Sequence, residues 1–260
     1  MGRWEKIKRI DKEFDTIFRN RSSTFIVHYS CESFYESKKD SFKIASIAVR
    51  NINSGQVSSF SIHLSAEKHK VDLTSNYEEA EKKLLDDYFS FLRANQNSYW
   101  VHWNMRDSNY GFKAIEHRYE VLGGVPILIP DNNKFDMARM LVERFTNKYI
   151  GHPRLESLMK LNDISDKNFL NGDKESQAFT QNEFVKLHQS TLKKVDVMED
   201  ILTKIDEGNL KVDANFFRIY GLSLESINHF LYSHPLVSFF TIIAGLYGLY
   251  KMFLEFFNKS

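Results

Sequence analysis

From Pro235 to Tyr250 the chain reads PLVSFFTIIAGLYGLY without one charged residue, and after Lys251 it resumes as Met252-Phe253-Leu254. No other stretch is as apolar for as long. A helix of about 20 such residues, rising ~1.5 Å each, covers the ~30 Å of a bilayer's hydrocarbon. The run reaches that length if Lys251 snorkels at one edge, beside Tyr247 and Tyr250 at the place of an aromatic belt. The sequence therefore predicts a transmembrane helix over 235–257, a single-pass C-terminal tail anchor with the body in the cytoplasm. A buried C-terminal helix and a self-association helix, the latter making a homo-oligomer, are the other settings such a run fits.

The remainder is polar and evenly charged. Thirty-five Lys and Arg against 34 Asp and Glu give a net charge of +1, so no global basic field marks a nucleic-acid binder. A single cysteine, Cys31, excludes an intrachain disulfide framework. The opening MGRWEKIKRIDKEF is charged throughout and lacks the apolar centre of a secretory signal. No Walker-type or GxGxxG loop, CxxC or HExxH is present, and His102, Asp107, His117, His152 and Asp173 show no metal-ligand spacing.

Periodicity alternates along the chain. Trp4, Ile7, Ile10, Phe14 and Ile17 recur at helical spacing. Strand-like runs follow at Thr24–Tyr29, Lys43–Arg50 and Gln56–Leu64, the last two joined by a hairpin over 51–55. A helix is predicted over Tyr77–Ala94, a fourth strand over Ser98–His102, and a helix over Asn109–Leu122 ending at Gly123-Gly124. Helices are then expected over Lys134–Thr146, Pro153–Leu161 and Asn182–Ile205. The body is placed at 1–206, a helical linker at 207–234, and the apolar helix at 235–257.

A helix, three strands led by a hairpin, then helix, strand and helices is the order of the ribonuclease H-like fold, an α/β mixed sheet flanked by helices. The segment Thr24–Ser33, TFIVHYSCES, resembles the first strand of the DEDD 3′–5′ exonucleases, in which D-x-E closes an apolar strand. Ser46–Val57 resembles their second strand and turn, Tyr99–Tyr110 their second motif, and Leu187–Asp196 their third, a His followed five residues on by Asp. The resemblance spans roughly residues 24 to 205.

What the resemblance implies is altered by its departures. Such exonucleases hold two divalent ions, Mg or Mn, about 4 Å apart on four carboxylates. Here the first Asp falls on Ser30, its partner is kept as Glu32, the second falls on Ser108 or Asn109 beside Asp107, and the His is kept as His188. The last Asp falls on Lys193. Two unit charges ~4 Å apart repel by ~4 kcal/mol at an effective dielectric of ~20, and a divalent ion doubles that. The resemblance thus implies a pseudoenzyme that binds a nucleic acid end or a nucleotide signal through Ser30, Glu32, Trp103, Asn104, Asn109, His188 and Lys193. An ammonium at 193 would grip phosphate directly.

The same residues have plainer roles. Glu32 suits a solvated strand end, Lys193 and Lys194 a solvated helix face, His188 shares the apolar stripe of Phe184, Leu192 and Val195, and Trp100, Trp103 and Tyr110 suit a core. Two further functions stay open: an active nuclease with Glu32, Asp107 and His188 as catalytic residues, Glu32 and Asp107 on the metal and Asp196 in a rearranged site, and a protein-interaction scaffold without ligand. A recognition domain on a membrane tail would suit an antiviral defence or stress effector.

Overall fold

The hairpin around Asn51 seeds the sheet. The Asn51 side-chain oxygen accepts the N–H groups of Asn53 and Ser54, both at 3.0 Å, and Gly55 takes the left-handed φ of 68° that closes the turn. This pairs β2 (Ile44–Asn51) antiparallel with β3 (Val57–Ser61). β2 also runs antiparallel to β1 (Thr24–Cys31), which lies parallel to β4 (Tyr99–His102), and β4 parallel to β5 (Lys134–Asp136). The result is an α/β fold with a mixed five-stranded sheet in the order β3-β2-β1-β4-β5. The computed structural model describes residues 2–32, 41–106, 110–221, 228 and 235–257.

Strand alternation divides the core in two. Val27 and Tyr29 of β1, Ile47 and Val49 of β2 and Trp100 of β4 face α3 (Tyr77–Ala94) and α4 (Phe112–Val121). Leu84, Leu85, Tyr88, Phe89 and Leu92 form the buried stripe of α3, at helical spacing. On the opposite face Ile26, Ala48 and Val101 pack with α1 (Arg3–Arg19), α5 (Met137–Phe145), α6 (Arg154–Leu161) and α8 (Phe184–Asp206). Two shorter helices, α2 (Ile62–His69) and α7 (Gly172–Thr180), close the edges.

Several elements depart from the expected ones. The third strand stops at Ser61, and Ile62, Ser65 and Ala66, at i, i+3 and i+4, turn inward as α2; Leu64 is exposed. The predicted helix at 134 begins instead with β5, and Asp136 caps α5 by accepting the N–H groups of Ala138 and Arg139. Residues 207–221 do not stand off as a linker. Asp213 N–H donates to the Tyr149 carbonyl at 2.8 Å, Asn162 bonds Lys211 through both ends of its amide, and Ile219 of α9 (Phe216–Tyr220) is buried. The rest of the expected linker, apart from Asn228, lies outside the described residues.

Helix α10 runs Pro235–Phe257, over the expected bounds. Phe239, Phe240, Ile242, Ile243, Leu246 and Leu249 are all exposed and share one half of the helix, while Thr241, Ala244, Gly245, Gly248 and Lys251 occupy the other. Among the described residues no helix is long and apolar enough to cross a membrane. The side chains of α10 are described without interruption from Phe239 to Leu254, ~24 Å at ~1.5 Å per residue.

One buried ion pair ties the outer helices to the sheet. Glu81 of α3, fully buried, accepts from Arg118 of α4 at 3.0 and 2.6 Å and from the Ile44 N–H at 2.6 Å. Burial works against the Arg118 charge, but Glu81 and Glu78 outweigh it and hold its pKa above the ordinary value. Glu81→Ala strands a guanidinium beside the core, so denaturant unfolding should register a loss of about 3–5 kcal/mol. A loss below about 1 kcal/mol would show that the pair is not fully desolvated.

Candidate functional site

Helix α8 crosses the sheet above a row of hydroxyls. Ser30 of β1 stands opposite Ser46 of β2, and Ser59 follows on β3, opposite Ala48. Ser30 Oγ lies 3.0 Å from Thr191 Oγ1, and Thr191 donates its own hydroxyl proton to the Leu187 carbonyl at 2.9 Å. Ser30 is therefore the donor of that pair. His188 Nδ1 lies 2.8 Å from Ser46 Oγ and its Nε2 3.4 Å from Ser59 Oγ. Burial, then the neighbouring His63, lowers the His188 pKa to about 4, so at neutral pH the ring is uncharged and bridges two strands.

With Thr191 at the centre of the inward face, Lys194 follows one helical step of three and also turns in, whereas Lys193 lies ~200° around the helix. The buried Lys194 ammonium pairs with Glu175 of α7 at 2.7 Å. The other Glu175 oxygen accepts from Ser190 at 2.9 Å, and Ser190 in turn receives the Leu170 N–H. A polar helix with little buried surface is thereby fastened to α8.

These elements enclose a cavity of about 230 Å³ at the C-terminal ends of the parallel strands β1 and β4. Its walls are His28, Tyr29, Ser30, Cys31 and Glu32 from β1 and its exit, Trp103, Asn104 and Tyr110 after β4, Gly172, Glu175 and Ser176 of α7, and Lys194. Asn104 holds a left-handed φ of 56°; its N–H donates to Asp136 at 3.1 Å and its side-chain oxygen accepts from Arg106 at 3.1 Å. Tyr110 stacks on Tyr29 with ring centroids 4.8 Å apart. The Cys31 thiol is pushed far up, first by burial and then by the Glu175 and Glu32 charges, so it is no nucleophile.

Of the residues singled out by the sequence, Ser30, Glu32, Trp103 and Asn104 line this one cavity. His188 and Lys193 do not. Lys193 acts on Asp196 and Asp200 instead. Asp107 and Asn109 lie outside the described residues. Asp196 is bound by Arg50 at 2.9 Å, and Arg50 sits opposite Ile26, six residues or ~20 Å along β1 from Glu32. Asp196 and Glu32 therefore share no metal. Trp100 is a core residue stacked on Phe25. His28 and Glu175 were not singled out, and Lys194, expected with Lys193 on a solvated face, is instead buried against Glu175; the two-residue step from Ser30 to His28 and the three-residue step from Thr191 to Lys194 were the available signals.

The described donors do not fit a pair of divalent ions. Glu175 spends both oxygens on Lys194 and Ser190, and among the described residues no group of three or more His, Cys, Asp and Glu is placed to hold a metal. Comparison with protein-family models, with curated proteins and with solved structures returns no match.

A second neutral histidine stands at β4. Met105 N–H donates to His102 Nδ1 at 3.1 Å, and burial lowers the His102 pKa to about 4 against the opposing pull of Asp136. The unfolded chain protonates His102 and His188 near 6.5, the folded chain only near 4. Their contribution is thus complete above pH 6.5 and lost as pH falls toward 4. Thermal midpoints should be level above pH 6.5 and already decline by about pH 5, above most carboxylate titration. A midpoint unchanged between those two pH values would show that neither imidazole is held neutral.

Proposed function

We propose that this chain is a non-catalytic ligand-binding domain of ribonuclease H-like architecture, held at a membrane by α10, whose cavity takes a nucleic acid end or a nucleotide. The observation that carries the binding is the position of the cavity. After β1 the chain leaves toward β2 on one side, and after β4 toward β5 on the other. The crevice between two such diverging C-terminal strand ends is where open α/β sheets seat their ligands. The mixed sheet and the hairpin-led order of its strands support the architecture.

The walls favour binding over turnover. Lys194 is neutralised by Glu175 at 2.7 Å, and Trp103 offers a ring for stacking. The membrane part is supported by α10, whose large apolar side chains are exposed along one half of the helix, opposite a face of mostly small residues. A contiguous exposed apolar surface of this kind is one that lipid would cover. Ligand-dependent bias of a membrane-bound partner or oligomer, as in a defence or stress effector, needs only different affinity for two states.

The binding is tested with the full chain in lipid nanodiscs and end-labelled single-stranded DNA and RNA, with Mn²⁺ and with chelator. Binding that leaves the strand intact is the expected result. Metal-dependent shortening that vanishes in Glu32→Gln would make the chain a nuclease, the reading favoured by two carboxylates, Glu32 and Glu175, on one cavity. Absence of binding to strands and nucleotides alike would leave a scaffold. For the anchor, removal of 235–260 should move the protein from the membrane pellet to the supernatant, and an unchanged distribution would rule the anchor out.

A further inference from the structure

His28 is the odd member of the cavity wall. It is 6% exposed, and among the described residues neither Nδ1 nor Nε2 has a hydrogen-bond partner, although buried polar atoms are almost always paired. The hydroxyls and imidazole one strand over show the local alternative, since Ser46 and His188 satisfy each other at 2.8 Å. Burial first, and the Lys194 charge second, hold His28 neutral. It therefore offers one N–H donor and one bare nitrogen acceptor to whatever enters.

Charge decides what enters. Among the described residues of the wall, Lys194 is the only cation, and Glu175 already closes it. A phosphate would therefore meet, among the described residues of the wall, an ammonium already satisfied. Size points the same way: about 230 Å³ lies below the ~300–1,000 Å³ of sites for drug-sized ligands, so one ring system fits better than a whole nucleotide.

We propose that the cavity takes the nucleobase itself, its hydrogen-bonding edge toward His28 and its face on Trp103, with sugar and phosphate left outside. This deepens the nucleotide-binding reading and rests on it. The lysine of α8 then acts as a wall that positions Glu175, and not as a phosphate grip.

Calorimetry on the full chain in detergent micelles tests it, with adenosine, guanosine, cytidine and uridine beside their 5′-monophosphates, ribose 5-phosphate and inorganic phosphate. At least one nucleoside should bind within about tenfold of its monophosphate, with no heat from ribose 5-phosphate or phosphate. His28→Phe keeps the volume and removes an unpaired polar ring, so it should fold, and it should weaken that nucleoside by about tenfold or more, as should Trp103→Ala. Monophosphates that bind where nucleosides do not, or phosphate that competes alone, would overturn the base-first site and leave nucleotide binding standing. Nucleoside binding unchanged in both variants would overturn its location. If nucleosides, nucleotides and single-stranded ends all fail to bind, both proposals fall.

Discussion

Helix α8 can lie on the sheet in only one rotation, because the surface beneath it is polar in a row. Ser30, Ser46 and Ser59 bring hydroxyls where an ordinary α/β sheet brings aliphatic side chains, and each must be answered by the helix. Thr191 and His188 answer them. Rotating α8 by one residue would leave the buried hydroxyls of Ser30 and Ser46 and an imidazole without partners, at about 1–3 kcal/mol each. The apolar stripe of Val195, Met198 and Ile201 supplies area, but a stripe tolerates small rotations. Hydroxyl pairs do not.

That rotation reaches the cavity. It turns Lys194 inward and Lys193 away, and Lys194 with Ser190 captures Glu175. Helix α7 buries only Ala178 completely, and beside the Phe179 contacts with Tyr77 and Phe184 those two bonds fix how it docks. The wall opposite β1 is thus a consequence of the seam beneath α8, two layers away. A carboxylate at Ser30, as the exonuclease motif would have it, would face Thr191 and disturb the same seam.

Much of this was legible and some was not, for identifiable reasons. Long elements with a sustained period, α3 over Tyr77–Ala94 and α8 over Phe184–Asp206, stand where periodicity put them. β5 did not declare itself, since three residues cannot show alternation, and its pairing with β4 is a long-range fact. Ile62 and Ala66 carried a helical spacing that a continuing strand pattern through Phe60 masked. At the site, Ser30, Glu32, Trp103 and Asn104 come together because strand ends gather at one edge of a parallel pair. Lys193 was chosen by counting five residues from His188 along a motif. Counting three from Thr191, around the helix, reaches Lys194. Glu175 had no local signal, because a polar helix placed by two side-chain bonds leaves no pattern in its own sequence.

The tail obeys a different constraint from the body. Within residues 2–221 the large apolar side chains are mostly shared between two core clusters on the two faces of the sheet, and exposed ones such as Val125 and Leu128 are scattered. In α10 the proportion inverts: Phe239 through Leu254 expose nearly every large side chain. Its large apolar side chains gather on one half, and Thr241, Gly245, Gly248 and Lys251 lie on the other. The sheet, moreover, has both faces already covered, so the body offers no second apolar layer to receive it. That exposed apolar half is the feature on which the proposed membrane anchor rests.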